Sequence, residues 1–342
     1  MAKVFTANVK SVLSGDTLIL TSPNNPTLER TFSLAFVSAP RLSKDGDEPF
    51  AFQSRDFLRS ISIGKLVQCT ILYTIPSSQR DYGTVKIKDG PELPDAPVKA
   101  GWLKVREDAG KKEESEEALQ RLENLRTSEG QAKNEGKGLW AGTGGVIEVQ
   151  NDLGGPDFLK QWKGKTVEAI IERVFTGDRV LVRLLLSEKK HVQVMTLLAG
   201  IRTPATERVN QSTGATQAGE EYGKEAQQFV EQRLLQRQIK VLIVGASPQG
   251  QLVAEILHPR GNIAVFLLEE GFARCNDFHS TMLGEKMAAL RAAEKKAQEA
   301  KKRLHKHHVA KATTESNLDM TVTKVIGADT IIVRNKAGTE KR

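Results

Sequence analysis

Apolar and polar residues alternate along VFTANVKSVLSGDTLIL, residues 4–20, in the period of two that marks strands. The stretch predicts two short strands joined at Ser14-Gly15, with Gly15 giving the backbone freedom of a tight turn. TFSLAFV, residues 31–37, is mostly apolar and predicts a buried third strand. The pattern then predicts a helix from about Glu48 to Ser62 and a strand from Leu66 to Leu72. A turn at Asp81-Tyr82-Gly83 leads to a further strand. EEALQRLENLRTSEGQAKNEGKGLW, residues 116–140, predicts a long helix stopped by Gly136 and Gly138 and anchored by Leu139-Trp140. Five short strands interrupted by a helix and followed by helices suggest a small Greek-key barrel of the oligonucleotide/oligosaccharide-binding (OB) type.

The pattern then repeats. SGDTLIL at 14–20 returns as TGDRVLV at 176–182 and as GADTIIV at 327–333. Asp16, Asp178 and Asp329 are spaced by 162 and 151 residues, a whole domain rather than a solenoid unit. The segment ending at Pro40 matches the one ending at Pro204, Phe57 matches Phe229, and Val67 matches Ile239. Ala100-Gly101-Trp102-Leu103 matches Glu270-Gly271-Phe272-Ala273, and each leads into a charged helix. RVNQSTGATQAG, 208–219, is a longer polar loop than its counterpart in the first copy. The order implies tandem duplication, with a first domain at 1–142, a linker at 143–160, a second domain at 161–308 and the start of a third, truncated one at 318–342.

Composition narrows the class. The 342 residues carry a net charge of +8 and a pI near 9.3, which favours an anionic partner, nucleic acid before membrane. Cys69 and Cys275 are the only cysteines, which suits a reducing compartment and gives no metal or disulfide spacing. The N-terminus lacks the apolar core of a secretory signal, and no apolar run reaches a membrane span. A soluble cytoplasmic protein, with the nucleus as second compartment, is expected.

SEGQAKNEGKGLW at 128–140, the GDT strand entrance, the LAGI-x-x-P core of the second copy and the helix after it resemble staphylococcal-nuclease-like domains. Tandem copies in a basic chain resemble the N-terminal part of the Tudor-SN (Tudor staphylococcal nuclease) family. The resemblance covers nearly the whole chain and implies an α+β fold of tandem OB-type barrels, each five-stranded with about three helices. It also implies a fragment of a longer protein, since no Tudor segment is present.

The family's catalytic plan is similar to GDT…VRLAGIDAPE…YGR: two Asp hold one Ca²⁺, a Glu helps water attack phosphorus, and two Arg neutralise the phosphoryl oxygens. In the first copy Asp16 is kept, but Ser33, Ser38, Arg41 and Thr84 replace the strand Arg, second Asp, Glu and late Arg. In the second copy Asp178 is kept, and the same positions hold Leu197, Arg202, Ala205 and Gln251. Glu207 is out of register beside Arg208. Each copy keeps one carboxylate of three and no catalytic Arg, so the resemblance assigns no catalytic residues, only the vestigial Asp16 and Asp178. No metal site or cofactor is expected, Ca²⁺ entering only if the chain is a nuclease after all. The Asp reads as a residue that fixes its turn by hydrogen-bonding nearby backbone N–H groups.

Exchange of acid for Arg at 41 and 202 converts a metal pocket into a phosphate contact, or leaves a solvated loop charge; Arg208 beside Glu207 has the weaker case. Residues 286–308 read as one basic helix with eight Lys and Arg against two Glu, a balance of +6, whereas 106–137 has seven against nine, a balance of −2. Lys295, Lys296, Lys301, Lys302 and Arg303 are therefore nucleic-acid candidates, beside the reading of a solvated face. His305, His307 and His308 end the basic stretch without the Cys or carboxylate spacing of a metal motif, and Tyr82 and Tyr222 read as turn and helix-entry residues. Aromatics at 5% favour recognition of backbone and duplex shape.

Three functions fit. The first is an RNA-binding scaffold of degenerate nuclease repeats acting on duplex or structured RNA. The second, implied by the resemblance, is a Ca²⁺-dependent nuclease acting on structured, edited or small RNAs. The third is a platform for silencing-complex or transcription-coactivation proteins. Salt-dependent binding, metal-dependent cleavage and a salt-insensitive protein partner respectively distinguish them.

Overall fold

The computed structural model describes residues 3–43, 46–110, 115–142, 144–209, 213–309, 320–327, 330–335 and 340–341. Residues 1–306 form one compact unit and 307–342 a second. In the first repeat β1 (Lys3–Ser14), β2 (Thr17–Thr21) and β3 (Glu29–Leu34) precede α1 (Ala51–Ser62). Next come β4 (Leu66–Ile75), β5 (Arg80–Ile87), the short α2 (Asp95–Lys99) and α3 (Glu116–Asn134). The sheet runs β3-β2-β1-β4-β5, and parallel pairing of Phe32 with Asp81 closes it into a five-stranded barrel. Val12, Leu18, Leu20, Phe32, Leu58 and Val85 fill the barrel with almost no exposure. Each such side chain contributes roughly 1.5–3 kcal/mol.

The second repeat follows the same plan. Its strands are β6 (Thr166–Thr176), β7 (Arg179–Leu185), β8 (Lys190–Leu198), β9 (Gln238–Ala246) and β10 (Leu252–His258). A short α4 (Pro156–Trp162) precedes them, α5 (Gly223–Leu234) sits between β8 and β9, and α6 (Ile263–Glu269) and α7 (Lys286–Glu299) follow. Parallel pairing of Thr196 with Leu252 closes this barrel. The duplication extends to irregularities. The β1–β2 ladder is bulged between Val9 and Ser11 and between Val12 and Ser14; β6–β7 is bulged between Ile171 and Arg173 and between Val174 and Thr176. A third hairpin, Met320–Gly327 with Thr330–Asn335, has both bulges at equivalent places and adds a two-residue strand, Glu340–Lys341. Asp329 lies outside the described residues.

Several local expectations change. Asp81-Tyr82-Gly83 lies inside β5 rather than in a turn, because Gly83 passes Thr70 so closely that a Cβ would stand 1.9 Å from its carbonyl oxygen. Gly15 is likewise needed for close approach: a Cβ would collide with Ser54 Oγ of α1, at 1.9 Å. The basic helix ends at Glu299, followed by a 3-10 turn at Arg303–His305. The stretch 143–160, expected as a linker, carries strand Glu148–Gln150, which pairs with β8, and α4.

The repeats are joined by polar contacts. Gln236 places its side-chain amide against Val12, accepting from Val12 N at 2.6 Å and donating to Val12 O at 3.0 Å. Arg59 donates to Gln236 O at 2.8 Å. Phe52, Ile147 and Ile170 form a small apolar cluster beside them.

Candidate nucleic-acid interface

The turn that opens β2 places Asp16 where its two oxygens can reach different segments. Oδ1 accepts from Ser14 Oγ at 2.5 Å and Thr17 Oγ1 at 3.0 Å, and Oδ2 accepts from Ala39 N at 3.0 Å. Asp178 Oδ1 accepts from Thr176 Oγ1 at 2.6 Å and Thr203 Oγ1 at 3.0 Å. In both copies the Asp carbonyl also accepts from the leucine ending the third strand, Leu34 or Leu198. Each carboxylate therefore ties the turn to the loop before Pro40 or Pro204. The donors are mainly hydroxyls, with Ala39 N the one backbone donor of the kind expected.

The other positions of the nuclease plan do not complete a metal site. Ser33 is buried with its hydroxyl 3.2 Å from Thr17 Oγ1. Glu220, the carboxylate facing the second loop, accepts from Ala205 N at 2.8 Å. Among the described residues no three His, Cys, Asp or Glu side chains cluster as metal ligands. A hard cation needs several anionic oxygens; one hydrogen-bonded carboxylate, with a guanidinium at 202 in place of the second, does not fit Ca²⁺.

A cationic arrangement stands at this place in the second barrel. Strand Ile201–Arg202 pairs with Arg274–Cys275, which sets Arg202 directly across from Arg274. Both side chains are exposed and line a cleft of about 510 Å³ with Thr203, Pro204, Leu304 and two carboxylates, Glu220 and Glu221. Neither forms an ion pair among the described residues: Glu221 is taken by Lys306 at 2.6 Å, and Arg274 donates to Leu304 O at 3.3 Å. Like charges directly opposed on antiparallel strands are unfavourable, so a bound anion would relieve the pair. Arg274 escaped sequence reading because only the ladder brings it to Arg202, 72 residues away.

The remaining candidates are dispersed. Arg41 is exposed on a loop closed by backbone bonds to Glu48. Arg208 is exposed on strand Arg208–Val209 and lines a different groove, between the repeats. The basic segment is heavily paired. Lys286 meets Glu255 at 2.6 Å, Arg291 meets Asp277 at 2.7 Å, Lys295 meets Glu299 at 3.9 Å and Lys296 meets Glu269 at 3.0 Å. Lys302 and Arg303 share Glu270 at 3.0 and 2.9 Å. Hydrogen bonds from Arg303 and Lys302 hold Glu270 below the usual carboxylate range. Lys301 is exposed without an ion pair among the described residues. The +6 balance of this segment is thus largely offset by acids from elsewhere in the fold. Arg303 is also packed on Phe272, 4.1 Å from the ring centre.

The staphylococcal nuclease homologue family matches residues 31–142 and 195–307. The chain is 35% identical to Staphylococcal nuclease domain-containing protein 1 of Schizosaccharomyces pombe, over its whole length and 40% of that protein. It is 31% identical to the Drosophila melanogaster protein of the same name, over 98% of this chain and 37% of the relative. Ribonuclease TUDOR 1 of Arabidopsis thaliana is 26% identical over 96% of this chain and 39% of its own length. The chain thus spans about two-fifths of the length of these relatives. No helix among the described residues is long and apolar enough to cross a membrane.

Proposed function

This chain belongs to the staphylococcal nuclease homologue family, and from that membership we propose that it is an RNA-binding scaffold whose degenerate barrels hold duplex or structured RNA by its phosphates without cutting it. The opposed guanidinium groups of Arg202 and Arg274, neither in an ion pair among the described residues, carry this reading. A phosphate between them accepts charge-assisted hydrogen bonds from both, relieves their repulsion and releases condensed counterions. Lys301, Arg41 and Arg208 supply further contacts. Lys295, Lys296 and Lys302 can trade exposed ion pairs, each worth little, for phosphates. Arg303, packed on Phe272 and bonded to Glu270, contributes mainly through position.

The test is binding and cleavage of duplex RNA with and without Ca²⁺. Salt-sensitive retention of intact RNA, lost in Arg202→Gln/Arg274→Gln, is expected; Ca²⁺-dependent cleavage by the protein would overturn the scaffold reading. The ribonuclease reading draws on the word in the Arabidopsis relative's name. A role as a platform for silencing-complex or coactivator proteins, in cytoplasm and nucleus, would show instead as partner capture insensitive to salt.

A further inference from the structure

Between the two barrels lies a groove of about 770 Å³ that shares no residue with the Arg202 cleft. Its walls combine two chemistries. Arg173, Arg179 and Arg208 supply cations, while Phe175, Met195 and the half-exposed Leu13 supply an apolar floor. Four acids also line it, Glu29, Glu172, Glu207 and Glu231, of which three have cation partners, Lys10 serving two of them. Lys10 holds Glu29 at 2.6 Å and Glu231 at 3.1 Å, and Arg55 holds Glu172. Glu207 is left, and none of the three arginines forms an ion pair among the described residues. Arg173 lies over the Phe175 ring at 4.9 Å, and Arg179 Nε is buried without a hydrogen-bond partner. That nitrogen is closed to solvent, so a ligand in the groove meets Arg179 through its outer N–H groups.

We propose that this groove binds one unstacked nucleotide: its phosphate on Arg173, Arg179 and Arg208, its base on the surface formed by Phe175, Met195 and Leu13. A bare phosphate would leave the apolar floor uncovered, and a nucleoside without phosphate would leave the guanidinium groups unpaired. A nucleoside monophosphate satisfies both, and the volume lies within the range of small-ligand sites. Aromatic stacking with neighbouring cations is the usual basis of unpaired-base binding. The site extends the RNA reading from duplex backbone to an unpaired residue, and it stands on its own observations.

The experiment is calorimetric titration of the whole chain at low salt with AMP, adenosine and inorganic phosphate, alongside retention of duplex RNA. AMP is expected to bind saturably and at least tenfold tighter than either part alone. Arg179→Gln should weaken AMP binding at least tenfold, and the exposed Arg173→Gln several-fold. Phe175→Ala should weaken AMP while sparing phosphate. Thermal melts establish that each variant is folded; should Arg179→Gln unfold, Arg173→Gln and Phe175→Ala carry the test. No saturable AMP binding, equal affinity for phosphate, tighter binding of a poly-glutamate peptide, or AMP binding indifferent to the variants would each overturn the proposal. Duplex RNA retained without AMP binding removes this groove while leaving the Arg202 reading intact.

Discussion

Arg55 on α1 of the first repeat and Glu172 on β6 of the second form a two-pronged ion pair, 2.9 and 2.5 Å, with both side chains about nine-tenths buried. Arg183 lies in the same site, 4.1 Å from the centre of the Phe52 ring. Burial pulls Arg183 down to about 10, and the Glu172 charge opposes that fall most strongly. Glu172 therefore bears on two buried guanidinium groups across the join between the repeats, with Asp47 and Asp56 adding to its effect on Arg183.

Glu172→Ala is expected to destabilise residues 1–306 by roughly 3–5 kcal/mol, the usual cost of stranding a buried charge. Chemical denaturation read by tryptophan fluorescence and circular dichroism should show the lower midpoint. Since the pair joins the repeats, the variant should also separate their unfolding into two steps. A change below about 1 kcal/mol would mean the join rests on Gln236 and the apolar cluster instead.

His191 adds a pH dependence. Its Nδ1 accepts from Arg183 Nε at 2.9 Å, and its ring meets Phe52 edge-on at 4.8 Å. Burial first, and then the Arg183 charge, push it from 6.5 down to about 4. The unfolded chain takes up the proton near 6.5, whereas the folded chain resists until about 4. Stability from this group is therefore complete above 6.5 and is lost as pH falls through that window, by on the order of 3 kcal/mol. His191→Gln should remove this part of the slope in melts between pH 7 and 4.

Asp16→Ala and Asp178→Ala should each lower stability by about 1 kcal/mol for the lost hydrogen bonds. The first should cost more, because it also strands Ala39 N, and neither should alter RNA retention. If either abolished a Ca²⁺-dependent cleavage, the carboxylates would be catalytic after all.

The tandem barrels were legible because strand periodicity and the GD entrance are local and occur repeatedly. The equivalence of Asp16 and Asp178 follows from the same local pattern. What escaped was long-range. Arg274 meets Arg202 only through a ladder, and Tyr82-Gly83 reads as a turn until Thr70 is seen against it. The charge of residues 286–308 looked free because its partners, Glu255, Glu269 and Glu270, precede it on other elements. The sequence pointed the Asp carboxylates at backbone N–H groups, whereas hydroxyls are their main partners, and Thr203 is brought to Asp178 only by the fold.

RNA affinity should reside mainly in the second repeat, and the structure divides its cations into two groups. Arg202 and Arg274 form no ion pair among the described residues, so each phosphate they bind gains more of the counterion effect, with log affinity falling by roughly 0.7–0.9 per unit of log salt for each contact. Lys295, Lys296 and Lys302 must first give up Glu299, Glu269 and Glu270, which offsets part of their gain. Replacing Lys295, Lys296, Lys301 and Lys302 together with Gln should weaken binding alike for all sequences and flatten the salt slope. Arg202→Gln with Arg274→Gln should do at least as much with half the charge removed. In the first repeat the comparison is Lys111 and Lys112, which lie outside the described residues and are followed by Glu113, Glu114, Glu116 and Glu117; their replacement should have little effect. Salt titrations of the three variants on one RNA duplex decide this. If the four-lysine variant lost far more affinity than the two-arginine variant, phosphate binding would belong to the helix and the paired arginines would be bystanders.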